Sequence, residues 1–123
     1  MPAKQEVSSF IRSTFRSVWS LELLCFLRKH QDRAWRFAEL VVAMRSSDLV
    51  VSQSADALVA AGLLVRETPD AIRYCPVNEQ VDRLATAAEE LYAQRPDSVR
   101  RMIVSAGSSS VSQFADAFKL RRD

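Results

Sequence analysis

The sequence predicts a mostly α protein with a small β-hairpin. Two glycines and four prolines among 123 residues leave little chain for linkers or disorder. Apolar residues recur at three- and four-residue spacing along most of the chain, which is the period of an amphipathic helix. One stretch departs from that period. "LLVRE" and "IRYCPV" are short β-rich runs joined by the four-residue connection "TPDA", in which Pro69 and Asp70 are turn residues. With 48 % hydrophobic residues, 1–123 is expected to form one domain with its own core.

From Ser8 to His30 the spacing predicts helix in two pieces. Phe10, Ile11, Phe15, Val18 and Trp19 recur at helical intervals, while Arg12 and Arg16 share another face. Ser17 and Ser20 are candidate caps for a fresh start before "LELLCFLRKH". That second piece is apolar almost all round, so it is expected to be buried on several sides, with Arg28 and Lys29 suiting the negative end of its dipole. In "QDRAWRF", Trp35 and Phe37 alternate with Arg36, which predicts a very short strand. Phe37, Leu40, Val41 and Met44 then mark a helix of about two turns.

Ser46 or Ser47 caps the next helix, with Asp48 in its first turn. Val51, Ala55, Leu58 and Val59 form its core face, and Gly62 supplies the left-handed residue that ends it. Beyond the hairpin, Asn78 caps a long helix whose stripe is Val81, Leu84, Ala85, Ala88, Leu91 and Tyr92, stopping before Pro96. "PDSVRRMIVSAG" holds a shorter helix with Val99, Met102, Ile103 and Ala106 on one face. Ser108 to Ser110 read as a turn, and Ser110 with Gln113 as the capping box of a last helix bearing Phe114 and Phe118.

The net charge of +2 is unevenly spread. Residues 1–45 carry eight basic and four acidic side chains, 46–98 carry four and nine, and 99–123 carry five and two. Basic ends therefore flank an acidic middle, which weakens any nucleic-acid surface there, because such affinity comes largely from phosphate neutralisation. Cys25 and Cys75 match no metal spacing, and each lies among apolar residues, so both are expected as buried thiols. No apolar run reaches the ~18 residues of a membrane span, and "MPAKQEVSSF" lacks the apolar core of a secretory signal. The expectation is a cytoplasmic protein with no membrane partner.

Catalytic constellations are scarce. His30 is the sole histidine and falls at a helix end, while Glu89 and Glu90 are adjacent and so point about 100° apart on a helix. Gly62 and Gly107 are too far apart for a phosphate loop, and one histidine with two separated cysteines makes no ordinary zinc site. The chain is read as a non-enzyme with no metal and no cofactor.

The order helix, short strand, helix, helix, hairpin over Val18 to Val77 resembles the winged helix-turn-helix of bacterial regulators such as the MarR family. "ALVAAGLLVRE" looks like the end of a recognition helix entering its wing. Residues 5–17 and 78–123 then stand as flanking helices. The resemblance implies a transcriptional regulator that binds double-stranded DNA as a homodimer on a palindromic operator. The dimer would be held through Phe10, Phe15, Leu84, Ala88, Leu91, Phe114 and Phe118.

Helical geometry turns Leu49, Gln53, Asp56 and Ala57 outward, with Ser52 and Ser54 on the flanks. Gln53 suits adenine, Leu49 a thymine methyl, and Asp56 is tolerated where it accepts from cytosine. No Lys or Arg lies between Ser46 and Ala61, so phosphate contacts fall to Arg36, Arg45, Arg66 and Arg73, with Ser46 and Ser47 beside them. The alternative is a winged-helix adaptor that binds a protein partner through Leu49 and Val50 and reads no DNA sequence. Trp19, Phe26, Trp35, Tyr74 and Tyr92 could line an effector pocket, but are read as core.

Overall fold

A computed structural model describes residues 2–106 of the chain. The expected turn at Ser108 to Ser110, the capping box at Ser110 and Gln113, and the helix bearing Phe114 and Phe118 lie outside the described residues. Helix α1 spans Lys4–Thr14 and buries Val7 and Ile11. It stops where Phe15 turns extended and inserts its own ring into the core. Ser17 opens the next helix through a reciprocal cap: Ser20 N–H donates to the Ser17 hydroxyl at 3.2 Å, and Ser17 N–H to the Ser20 hydroxyl at 3.4 Å. The two-piece reading is therefore correct, although Arg16 sits in the bend rather than on the face of Arg12.

Helix α2, Val18–Lys29, is the central element, with Leu21, Leu23, Leu24 and Leu27 fully buried. Strand β1 is two residues, Trp35–Arg36, and leads directly into α3, Phe37–Ala43. Glu39 reaches back to accept the Arg36 N–H at 2.9 Å, which satisfies one of the orphan donors at the start of α3. A turn with Arg45 at φ 51° then delivers the chain to α4, Asp48–Ala60, whose cap Ser47 accepts the Val50 N–H at 3.2 Å. The buried stripe of α4 is Val51, Ser54, Ala55 and Leu58, a spacing of three, four and seven. Val59, expected in the core face, is half-buried at its edge.

Gly62 ends α4 at φ +80°. The chain then forms β2, Leu64–Thr68, and β3, Ala71–Tyr74. The sheet is antiparallel in the order β1-β3-β2, with Trp35 opposite Ile72 and Leu64 opposite Tyr74. Thr68 pairs with Ala71, so the connection is two residues, Pro69 and Asp70, and not the expected four. The register slips between Arg66 and Thr68, which sets Glu67 in a bulge.

Asn78 caps α5, Glu79–Gln94, by accepting the Val81 N–H at 2.9 Å. A sixth helix, α6, covers 96–106 within the described residues and buries Val99 and Ile103. Every residue of the expected α5 stripe packs on the core, with Ala85 and Ala88 fully inside. Helix α5 lies against α1, while α2 packs on both α4 and β3.

Polar links tie these layers together. Arg28 of α2 forms an ion pair with Glu89 and donates to the Thr86 hydroxyl at 2.7 Å, and Tyr74 of β3 donates to Asp82 at 2.6 Å. The structure is thus mostly helical with a small three-stranded antiparallel sheet. Among the described residues no helix is long and apolar enough to cross a membrane. Cys25 is half-buried, but Cys75 is exposed, which corrects the expectation of two buried thiols. Strand β3 ends at Tyr74, so Cys75 has no sheet face to hold it inside.

Candidate nucleic-acid interface

The candidate interface comprises the outer side of α4, the turn before it and the β2–β3 hairpin. On α4, Leu49 is 64 % exposed, and Gln53 and Asp56 also face solvent. Ser52 and Ala57 are half-buried on the flanks. Ser54, expected on a flank, is buried at 9 % exposure at the floor of a groove along α4. Its place in the buried stripe, three residues after Val51, is the reason. In the preceding turn Arg45 is exposed, while the half-buried Ser46 donates its N–H to the Val41 carbonyl at 3.0 Å. The Ser47 hydroxyl is engaged as the helix cap.

The other three arginines each sit beside a carboxylate. Arg36 lies 3.5 Å from Asp70 across the β1 end and the hairpin turn. Arg73 on β3 pairs with the bulged Glu67 at 3.0 Å. Arg66 on β2 pairs with Asp56 of α4, donates to the Pro69 carbonyl at 2.8 Å and lies over the Phe37 ring. The Asp56–Arg66 pair links the expected recognition helix to the hairpin, and linear spacing could not foresee it. At Asp70 the Thr68 hydroxyl, donating at 3.0 Å, and then the Arg36 charge hold the carboxyl below its usual range. Nearby, Arg33 and then the Arg36 backbone N–H hold Glu39 low in the same way. Of the arginines proposed for phosphate contact, Arg45 alone has no carboxylate within ion-pair distance among the described residues.

The same surface is partly apolar. Val42 near the end of α3 is 78 % exposed, and Val50 beside Leu49 is 37 % exposed. A half-open groove of about 820 Å³ runs along α4, between Gln53, Ala57 and Ala60 on one wall and Arg16, Ser17 and Trp19 on the other. Arg16 and Trp19 were not foreseen here. They come from the α1–α2 bend and the first turn of α2, far from α4 in sequence, and no local pattern marks that approach. The aromatic residues read as core do pack on it, and they occupy separate places. Phe26, His30 and Trp35 cluster at the end of α2, Trp19 lines the α4 groove, and the Tyr92 hydroxyl donates to Glu22 at 3.2 Å.

Of the residues expected in a dimer contact, Phe15 and Ala88 are buried within the single chain. Phe10, Leu84 and Leu91 are half-buried on the same core, and Phe114 and Phe118 lie outside the described residues. No set of three or more His, Cys, Asp or Glu side chains among the described residues is placed to hold a metal ion. Comparison with protein-family models, with curated proteins and with solved structures returns no match.

Proposed function

We propose that the chain is a winged-helix transcriptional regulator that binds double-stranded DNA as a homodimer on a palindromic operator. The observation that carries this reading is topological. The order α2, β1, α3, α4, β2, β3, with the sheet running β1-β3-β2, leaves the outer side of α4 open beside a two-residue hairpin turn. That arrangement suits a helix inserted in the major groove with a hairpin alongside it. Gln53 is the base-reading residue, suited to a bidentate contact with adenine, and Leu49 meets a thymine methyl. Arg45 supplies the first phosphate contact, and Arg36, Arg66 and Arg73 supply more as they exchange carboxylate for phosphate.

The test is enrichment of duplexes from a random pool on the purified protein, at low and at moderate salt. The expected product is a pseudo-palindrome with half-sites about one helical turn apart, bound less tightly as salt rises. Gln53→Ala should change the preferred bases, whereas Arg45→Ala should weaken all sequences alike. Failure to retain any duplex at low salt would remove the reading.

A second reading is favoured by the exposed apolar residues Val42 in α3 and Leu49 and Val50 at the start of α4, together with the carboxylate partners already held by Arg36, Arg66 and Arg73. Here the α4 side is a contact surface for another protein and reads no DNA. Leu49→Asp would then abolish capture of a defined partner. On the DNA reading it would alter base preference instead.

A further inference from the structure

We infer that Asp56, Glu67 and Asp70 are affinity-limiting residues of the proposed DNA surface: they occupy the arginines that would otherwise bind phosphate indiscriminately. The inference rests on the DNA-binding reading and adds a role for residues that this reading alone leaves as obstacles.

The geometry is consistent at all three positions. Each of Arg36, Arg66 and Arg73 has one carboxylate beside it, supplied by α4, by the bulge or by the hairpin turn. The bulge between Arg66 and Thr68 takes Glu67 out of the ladder, where it meets Arg73 at 3.0 Å. Asp70 is one of the two turn residues and holds Arg36 while accepting from Thr68. Asp56 reaches from the outer side of α4 to Arg66. All three carboxylates are exposed, so the pairs are held weakly and can open.

A phosphate backbone must compete with these carboxylates for the same guanidinium groups, and it is repelled by them meanwhile. Non-specific binding rests almost wholly on phosphate neutralisation, so it bears most of this loss. A cognate site regains affinity through base contacts made by Gln53 and Leu49, and can draw the arginines across. The carboxylates thereby widen the gap between operator and bulk DNA, and they account for a hairpin rich in arginine around an almost neutral surface.

The test compares the wild-type chain with the triple variant Asp56→Asn, Glu67→Gln, Asp70→Asn on a mixed-sequence duplex over a range of salt. A control variant, Glu79→Gln, Glu90→Gln, Asp97→Asn, adds the same charge on α5 and α6, at carboxylates that pair with none of the three arginines. The triple variant is expected to bind about ten-fold tighter than wild type, from three carboxylate–phosphate repulsions removed in aqueous surroundings. Its salt dependence should steepen by about one unit for each arginine released. The control should stay within about two-fold of wild type, because none of its three carboxylates is paired with Arg36, Arg66 or Arg73.

Equal strengthening by the triple and control variants would overturn the inference and leave plain net charge as the cause. So would no strengthening of a triple variant that keeps the wild-type melting temperature. If the triple variant is unstable, Glu67→Gln alone carries the test, with an expected gain of about two- to three-fold. A wild type that retains no duplex at low salt, together with variants that also retain none, would remove the DNA reading itself.

Discussion

Gly62 meets two demands at once. Its φ of +80° lies where an L side chain is strained, and a Cβ there would stand 2.9 Å from Val77 Cγ1. The second demand is minor, because Val77 is exposed and its methyl can swing aside. The backbone demand remains, and Gly62→Ala is expected to cost about 1–2 kcal/mol, read as a lower denaturant midpoint at unchanged slope.

The two cysteines should differ as sharply. Burial first, and then the Glu89 carboxylate, push the Cys25 thiol up to about 12, while Cys75 is open to solvent. A thiol reagent at neutral pH should therefore titrate one cysteine in the native protein and both in denaturant, and Cys75→Ser should abolish the native reaction. At this scale the sequence speaks clearly where the cause is local. The caps at Ser17, Ser47 and Asn78 and the stop at Gly62 depend on backbone a few residues away. Exposure of Cys75 depends on which neighbouring elements arrive, and the chain's own pattern does not encode that locally.

Strand β3 owes its position to α5 as well as to its neighbours in the sheet. The Tyr74 hydroxyl donates to Asp82, and Arg28, itself paired with Glu89 of α5, lies 5.3 Å from the Tyr74 ring centre. Burial foremost, and then the bond to Asp82, raise the Tyr74 phenol to about 12 from its usual 10.0. The folded state therefore holds this proton more tightly than the unfolded chain does. The stability it contributes is complete below pH 10 and is lost as pH rises from 10 through about 12. Denaturation curves across that interval should show a decline that Tyr74→Phe flattens, with a loss of about 1 kcal/mol at neutral pH from the missing hydrogen bond. Helix types and most helix bounds follow from periodicity and caps, so these elements were legible. The two-residue hairpin turn was not, because pairing of Thr68 with Ala71 depends on the bulge at Glu67, and a bulge leaves no period in a five-residue strand.

For the whole molecule, the open matter is what a second copy would grip. Phe15 and Ala88 are already enclosed by the chain's own core, so an interface built on the α1–α5 layer has only the half-buried edges of Phe10, Leu84 and Leu91 to offer. Helix α6 offers more, since it buries Val99 and Ile103 inward and leaves Val104 59 % exposed on another side. Phe114 and Phe118, spaced four apart in sequence as one helical face would need, lie outside the described residues. On the proposed dimer reading, a two-fold contact through Val104 would present one α4 from each copy to a palindromic operator. Sedimentation at micromolar concentration should then give twice the 13.9 kDa of the chain. Val104→Asp should return it to 13.9 kDa without lowering the melting temperature, because Val104 is exposed and lies outside the buried core among the described residues. The monomeric variant should still bind a single half-site, but more weakly than the dimer binds the full operator, because the second contact is no longer intramolecular. A chain that sediments at 13.9 kDa before mutation would instead place α6 on the outside of a monomeric regulator, limited to one half-site.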